Sequence, residues 1–382
     1  MPQHLFPNMN FLLFASVFVL VMALMNVYVW RRFLRVLSHG MGRYLLVIPV
    51  TLLLGDIFFV VDIIYTIIPD SPALFMVTSA FVGFTFMLFV VAVFYDLSVT
   101  VSKRVPIDPS RRHTLKLIFD VTILILAFSY LLRGLSQGIK RPVINRVGVR
   151  LKGFPHDQFS IVQLSDVHVG RTIKRGFIEY LVEQTNRLQP DLVVITGDLV
   201  DLPVSRIEYD LYPLKDLKAP AYFILGNHEY FHGPGEAIAY IRELGITPLL
   251  NEAVVVGEGE HKFNLIGLND LTGLRSGLFP PDAPAAFRSV DQSRPCIVLA
   301  HQPRMIGKLD NFRCDLMLSG HTHGGQIFPF GLLVMAAQPY IAGLHQHKAD
   351  RQIFVSRGAG YWGPPLRVLA PSEISHINIR RV

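Results

Sequence analysis

Two kinds of apolar pattern divide the chain. Up to about residue 132, apolar residues run in long blocks, over 9–30, 44–68, 73–95 and 115–132. A helix needs roughly 20 such residues to cross a bilayer. The first block closes on Arg31-Arg32 and the second on Pro69-Asp70-Ser71-Pro72. No basic segment precedes the first block and no clear small-residue cleavage site follows it, so it reads as an uncleaved anchor. From residue 159 the pattern changes to short β-rich runs: FSIVQLS, DLVVITG, AYFILG, CIVLA and DLMLSG. Between them lie amphipathic stretches. In 175–188, Phe177, Ile178, Leu181, Val182 and Leu188 fall at helical spacing. GEAIAYIRELG predicts a helix stopped by Gly245. VVV, FNLIGL and the C-terminal IFVSRG and ISHINIRRV add strands, and YDLYPLKDL a short helical piece. The alternation predicts an α/β domain with its functional loops at strand ends. The expected division is a four-helix transmembrane anchor at 1–135, a linker at 136–157 and a catalytic domain at 158–382. Within the linker, residues 143–151 partly alternate and suit a first strand.

Composition sharpens this division. Hydrophobic residues make up 51% of the chain and the mean hydropathy is +0.39, too apolar for an ordinary soluble enzyme. The net charge of +7 is also uneven. Residues 1–150 contain no Glu and carry +8, and the remainder carries −1. The basicity therefore gives the C-terminal domain no nucleic-acid surface. Arg31, Arg32, Arg35 and Arg43 follow the first block, and Lys103, Arg104, Arg111 and Arg112 follow the third. The positive-inside rule places both basic loops in the cytoplasm and the C-terminal domain outside it. The cluster Arg133, Lys140, Arg141, Arg146 and Arg150 cuts against that placement unless it meets lipid phosphates. Asp56, Asp62 and Asp120 fall within predicted spans. No run of intramembrane acids or bases forms a relay, so they are expected near span ends or paired within the bundle. The two cysteines, Cys296 and Cys314, form no C-x-x-C pair, which excludes a structural zinc knuckle; both are expected as buried thiols.

The chemistry sits where the β-rich runs end. Each run leads directly into one of five fragments: Asp166-Val-His168, Gly197-Asp198-Leu-Val-Asp201, Gly226-Asn227-His228-Glu229, Ala300-His301 and Gly320-His321-Thr-His323. Asp166 and His168, two apart at the end of an extended strand, would share a face and reach one metal. The Asp198 carboxylate has two oxygens and can bridge two ions about 3.5–4 Å apart. Asn227 offers a carbonyl oxygen, and His301, His321 and His323 offer imidazole nitrogens. This mixture suits two divalent ions, Mn, Fe, Zn or Co. Metal-bound water loses its proton near neutral pH, and the hydroxide attacks phosphorus. In an extended chain His228 points away from the metal of Asn227, placed to protonate the leaving oxygen or steady the phosphoryl group. Asp201 is expected to orient it. Lone histidines are usually structural, so His232 is only a possible visitor to the pocket and His345-x-His347 reads as exposed loop. Asp270, after FNLIGL, falls near the expected rim. Residues 327–344 (IFPFGLLVMAAQPYIAGL) are unusually apolar after a metal ligand. They fit either core strands or a hydrophobic flap that meets lipid.

Taken in order, the blocks D-x-H, G-D-x-x-D, G-N-H-E, H and G-H-x-H resemble the calcineurin-like metallophosphoesterase superfamily over about residues 158–382. GHTHGGQ and the tail SRGAGYWGPPLRVLAPSEISHINI resemble its bacterial membrane-associated YkuE/YaeI-like branch. The resemblance implies a four-layer α/β/β/α sandwich. It also implies Asp166, His168 and His323 on one metal, Asn227, His301 and His321 on the other, Asp198 between them and His228 as the catalytic histidine. The expected function is hydrolysis of a phosphodiester or pyrophosphate bond on a lipid-linked or envelope substrate, outside the cytoplasm of a bacterial cell. UDP-2,3-diacylglucosamine hydrolysis in lipid A synthesis, protein phosphatase activity and a non-enzymatic phospholigand sensor are the alternatives.

Overall fold

The computed structural model describes residues 9–37, 42–65, 67, 71–104, 106 and 108–382. Ile68, Pro69 and Asp70, expected at the close of the second apolar block, lie outside the described residues, as does the side chain of Arg43. The chain forms two compact units, one of Met1–Ile139 with Gly363–Val368, the other of Lys140–Trp362 with Leu369–Val382.

The first unit is helical: α1 (Met9–Arg32), α2 (Gly42–Leu45), α3 (Val47–Tyr65), α4 (Pro72–Ser102) and α5 (Pro109–Gly138). Among the described residues four helices are long and apolar enough to cross a membrane, Leu12–Val36, Val47–Tyr65, Pro72–Ser102 and Arg111–Gly138. The fourth runs past the apolar block at 115–132 at both ends, through the polar flanks PSRRHT and RGLSQG. Ser71 caps α4 by accepting the Leu74 N–H, with Pro72 pre-set for the first turn. Many apolar side chains of α1, α3 and α5 face outward, as lipid-facing ones do, while Val29, Phe33, Leu52, Ala92 and Tyr95 pack inside. The intraspan acids join helices. Asp56 Oδ2 accepts from Thr85 Oγ1 at 2.8 Å and Asn26 Nδ2 at 3.2 Å. Asp120 accepts from Tyr95 at 2.7 Å and Lys116 at 2.7 Å. Each bond spares a polar group from hydrocarbon.

The second unit is an α/β/β/α sandwich. Its first sheet has the order β1 (Val143–Leu151), β12 (Glu373–Arg381), β2 (Gln158–Leu164), β3 (Leu192–Thr196), β4 (Ala221–Ile224), β5 (Thr247–Pro248). The second has β10 (Gly343–Lys348), β11 (Arg351–Val355), β9 (Leu316–Ser319), β8 (Cys296–Leu299), β7 (Phe263–Gly267), β6 (Glu252–Val256). β2 through β5 are parallel, as are β11, β9, β8 and β7. The inner faces meet in a core that includes Phe154, Ile161, Val194, Leu265, Leu299 and Phe354. Outside the first sheet lie α6 (Arg175–Arg187), α7 (Glu208–Leu211), α8 (Asn227–His232) and α9 (Pro234–Glu243), and Ile178, Leu181 and Ile241 belong to that outer core. α10 (Gly273–Ser276), α11 (Ala283–Phe287) and a 3-10 turn at Pro303–Lys308 belong with the second sheet. One further short helix, α12 (Gly331–Ala337), follows the G-H-x-H block. Cys296 and Cys314 are buried free thiols.

Because β2, β3 and β4 are parallel, their carboxyl ends share one edge of the first sheet; β8 and β9 do the same in the second. The five fragments emerge at those ends, where parallel sheets leave crevices.

Candidate metal centre

Backbone hydrogen bonds between the loops lock them at these edges. Asp166 N–H donates to Gly197 O at 3.1 Å and His168 N–H to Asp198 O at 3.0 Å, zipping the first two fragments together. Asp166 and His168 do not sit on an extended strand. β2 ends at Leu164, and both residues take left-handed conformations, with φ of 51° and 56°. Two left-handed residues, not the expected shared face of a pleat, therefore aim the two side chains inward. Asp198, His321 and His323 are also left-handed, at 52°, 72° and 50°. Such strain in side-chain-bearing residues gathers at functional sites.

Glycine precedes three of the fragments because neighbours press against it. A Cβ on Gly226 would lie 2.3 Å from both the Asp198 N and Oδ1. A Cβ on Gly320 would lie 1.9 Å from Ser165 Oγ.

Asn227 and His228 are not extended either. They open α8, so their side chains diverge by about 100° of helical rotation. His228 N–H donates to Asp198 Oδ1 at 2.8 Å. Glu229, quoted in the motif but given no role from sequence, is fully buried and acts as a clamp. Its carboxylate accepts from the backbone N–H of Gly226 (2.6 Å), Asp198 (3.0 Å), Leu199 (2.7 Å) and Val200 (3.2 Å). The visible signal was an acid three residues after a helix-opening Gly, the carboxylate half of a capping box.

The seven expected ligand residues converge. Asp166, His168 and His323 bring ligand atoms within 4.8 Å of one another, and so do Asp198, His301 and His321. Asn227 Oδ1 lies 2.8 Å from His321 Nδ1 and 3.1 Å from His301 Nε2, which attaches it to the second group. Asp198 Oδ2 stands 3.2 Å from His301 Nε2 and 3.9 Å from His168 Nε2, between the groups. His301 Nδ1–H donates to Thr196 O at 2.8 Å, and His168 Nδ1–H to Asp201 Oδ1 at 2.7 Å. Each bond fixes a tautomer whose Nε2 lone pair faces the centre. His168 Nε2 and His323 Nε2 approach to 3.0 Å, a nitrogen pair that a shared cation would satisfy.

Asp201 has a wider role than expected. It holds His168, and the same oxygen lies 2.6 Å from His228 Nδ1, off the line of a hydrogen bond. His228, Asp201 and His168 thus form a third cluster with ligand-like spacing.

Electrostatics match the geometry. Burial alone would lower the His228 imidazole, but the Asp198 and Asp201 carboxylates outweigh it and raise it to about 9. Burial, then His301, pushes His321 down to about 3, keeping the neutral form that ligates metal. Burial raises Asp166, partly opposed by His301. Paired Asp, Asn and His donors fit two divalent transition ions.

The remaining candidates separate. His232 sits at the end of α8, its ring 6.3 Å from that of His228 and outside both main groups. Asp270 is buried behind the site, where Oδ1 accepts from Gln302, the neighbour of His301, at 2.9 Å. His345 and His347 lie on β10 and flank Tyr340, with ring centroids 4.7 and 6.0 Å from it. They form a strand, not the expected loop.

The family model of calcineurin-like phosphoesterases matches residues 159–325. An uncharacterized metallophosphoesterase of Helicobacter pylori is 41% identical over 310 residues, covering 80% of this chain and 82% of that protein. One from Campylobacter jejuni is 32% identical and covers 97% of this chain and 99% of its own length. The metallophosphoesterase YkuE of Bacillus subtilis is 33% identical, covering 59% of this chain and 81% of that protein. With all five sequence blocks gathered at the carboxyl ends of the two sheets' parallel strands, the chain belongs to the calcineurin-like metallophosphoesterases, phosphoester hydrolases that use a dinuclear metal centre.

Proposed function

We propose that the chain is a membrane-anchored phosphoesterase that cleaves a phosphodiester or pyrophosphate bond in a lipid-linked substrate, outside the cytoplasm of a bacterial cell. Asp166, His168 and His323 would hold one divalent ion and Asn227, His301 and His321 the other, with Asp198 placed between the two groups. Bound ions of this kind supply a hydroxide nucleophile and neutralise phosphoryl charge. The chain's own residues do the rest. His228, raised by its two carboxylate neighbours, carries a proton toward the leaving oxygen. Asp201 steadies both His168 and His228. Glu229 holds the Asp198 loop against Gly226.

The observation that carries the lipid reading is α12. Within 327–344 only Ile327 and Gln338 are buried. α12 has no buried residue, and Leu332, Leu333 and Met335 are about 60% exposed, with Phe328 and Phe330 also exposed. Gln326, just before it, exchanges two hydrogen bonds with the Trp362 backbone, at 2.9 and 3.1 Å. The Trp362 ring stands 6.0 Å from the His228 ring, and exposed Phe231 stands 5.4 Å from it. An apolar rim beside a metal centre suits a phosphate that carries acyl chains. It stands against a protein phosphatase, which needs an open polar groove.

Replacing Leu332, Leu333 and Met335 together by Gln keeps good helix formers on an exposed face. The variant is expected to lose about tenfold or more in kcat/KM on a lipid phosphodiester in micelles, the scale of one buried aliphatic side chain. Hydrolysis of bis(p-nitrophenyl) phosphate should not change. Equal rates on the lipid ester would remove α12 from substrate recognition.

One observation favours the pyrophosphate form of the substrate. Leu271, Leu274, Arg275, Arg304 and Lys308 line a cavity of about 460 Å³, and Arg304 follows His301 by three residues. These cations suit a second phosphate. UDP-2,3-diacylglucosamine would meet that demand, but it is made in the cytoplasm. The charge pattern of the short loops supports the opposite placement. A C-terminal alkaline phosphatase fusion is expected to be active, and a C-terminal fluorescent fusion that folds only in the cytoplasm to be dark. The reverse result would restore the nucleotide lipid.

A further inference from the structure

Three of the basic residues that unsettle the charge pattern, Arg141, Arg146 and Arg150, resolve into two groups. Arg141 is occupied: its guanidinium donates to Gly176 O at 2.8 Å and lies over the Tyr180 ring at 4.7 Å. Arg146 and Arg150 are not. They project from the exposed positions of β1, with Gly148 between them. β1 pairs with β12 in parallel, which sets Arg146 beside His376, Gly148 beside Asn378 and Arg150 beside Arg380. The intervening residues Val147, Val149, Ile377 and Ile379 belong to the core between the sheets. Side-chain alternation therefore puts all three arginines and Asn378 on the outer face.

That face holds a cavity of about 430 Å³, lined by Arg146, Gly148, Arg150, Asn378 and Arg380 among others, and no carboxylate. Among the described residues none of the three guanidinium groups has an ion pair or a side-chain hydrogen bond. Arg150 and Arg380 are direct cross-strand partners, an arrangement that like charges disfavour. Gly148 forms an open floor, since a Cβ there would meet nothing within 4 Å. Arg146 and Arg150 stand about 13 Å apart along the strand, near enough for two long side chains to fold over that floor.

We propose that this face binds the phosphate of an anionic lipid head group. Three forked cations around a side-chain-free floor match phosphate geometry. The occupant follows from the chain: β1 starts at Val143, five residues after the last apolar helix ends at Gly138. Juxtamembrane basic segments meet lipid head groups. The site is separate from the metal centre, whose residues leave the carboxyl end of β2, whereas Arg380 pairs with Gln158 at its start.

The test uses the full chain in detergent, stripped of metal so that the catalytic centre takes no phosphate. Binding of dihexanoylphosphatidylglycerol, dihexanoylphosphatidylcholine and inorganic phosphate is measured by calorimetry. The anionic lipid is expected to bind at least tenfold more tightly than the other two. Arg146→Gln, Arg150→Gln and Arg380→Gln combined should abolish that preference. Gly148→Leu should do the same with every charge kept, by filling the floor. Both variants, reloaded with metal, should hydrolyse bis(p-nitrophenyl) phosphate as the parent does, showing an intact fold. Unchanged lipid binding in both variants, or equal binding of the two lipids, would overturn the proposal. Inorganic phosphate binding as tightly as the anionic lipid would also overturn it, in favour of a soluble anion.

Discussion

Asp198→Ala is expected to reduce bound metal from about two ions per chain to one or none and to lower kcat by about a thousandfold or more, the scale of a lost electrostatic group at a reaction centre. Asp198 is nearly fully buried and stands between the two ligand groups. Burial alone would favour the neutral acid. The His301 and His228 imidazoles outweigh it and hold the carboxyl well below its usual range. The anion is thus present across the physiological range and available to two ions at once. Its removal leaves His168 and His301 facing a centre with one charge fewer, and the remaining donors divide into two incomplete sets. Loss of the side chain also frees the His228 N–H that Oδ1 accepts. Asp198→Asn separates these effects, because it keeps the shape and loses the charge. It should bind metal nearly as poorly as the Ala variant while unfolding at the parent's temperature in the metal-free form. Elemental analysis by mass spectrometry is the direct measurement. Two ions retained with near-parental turnover would remove Asp198 from the bridge. Loss of metal with full biological function would favour a ligand sensor over an enzyme.

The candidate ligand residues were legible because their fragments follow runs whose composition admits little but a buried strand. LVVIT, CIVL and LMLS became fully buried strands, and parallel pairing brought their ends to common edges. Periodicity reports burial but carries no φ. A pleat is therefore the expectation for Asp166 and His168, where left-handed turns supply the aim, and an extended backbone for Asn227-His228, which is helical. Asp201 was legible as a partner for His228 but not for His168, a pairing between loops 33 residues apart. Glu229 was overlooked for a related reason, since its partners are backbone groups that no side-chain motif displays. β10 was missed because its alternation, in GLHQHK, is set by packing against Tyr340 rather than by aliphatic residues. The two readings of 327–344 could be separated only by accessibility, because an exposed apolar helix and a core segment share one composition.

His228→Ala is expected to keep both metal ions and to lower kcat by about 10²–10⁴-fold, the range of a lost general acid. The structure makes this a sharper question than the sequence did. His228 Nδ1 is 2.6 Å from Asp201 and its Nε2 is 3.9 Å from Asp198, so His228 with His168 and Asp201 could itself hold an ion. Metal content decides between the roles. Its ring is nearly perpendicular to that of His168 at 4.6 Å, with Phe231 and Trp362 on its other sides. That surround packs one side of the ring against apolar side chains, as the proposed proton-donor role requires. A proton donor is needed most when the leaving group is a poor one. The loss should therefore be large on an alkyl phosphodiester and small on bis(p-nitrophenyl) phosphate, whose phenolate leaves without a proton. A ligand role predicts instead that metal content falls by one ion and that both substrates suffer alike. The same loss on both substrates with metal intact would move His228 from proton donor to a group that steadies the phosphoryl oxygens.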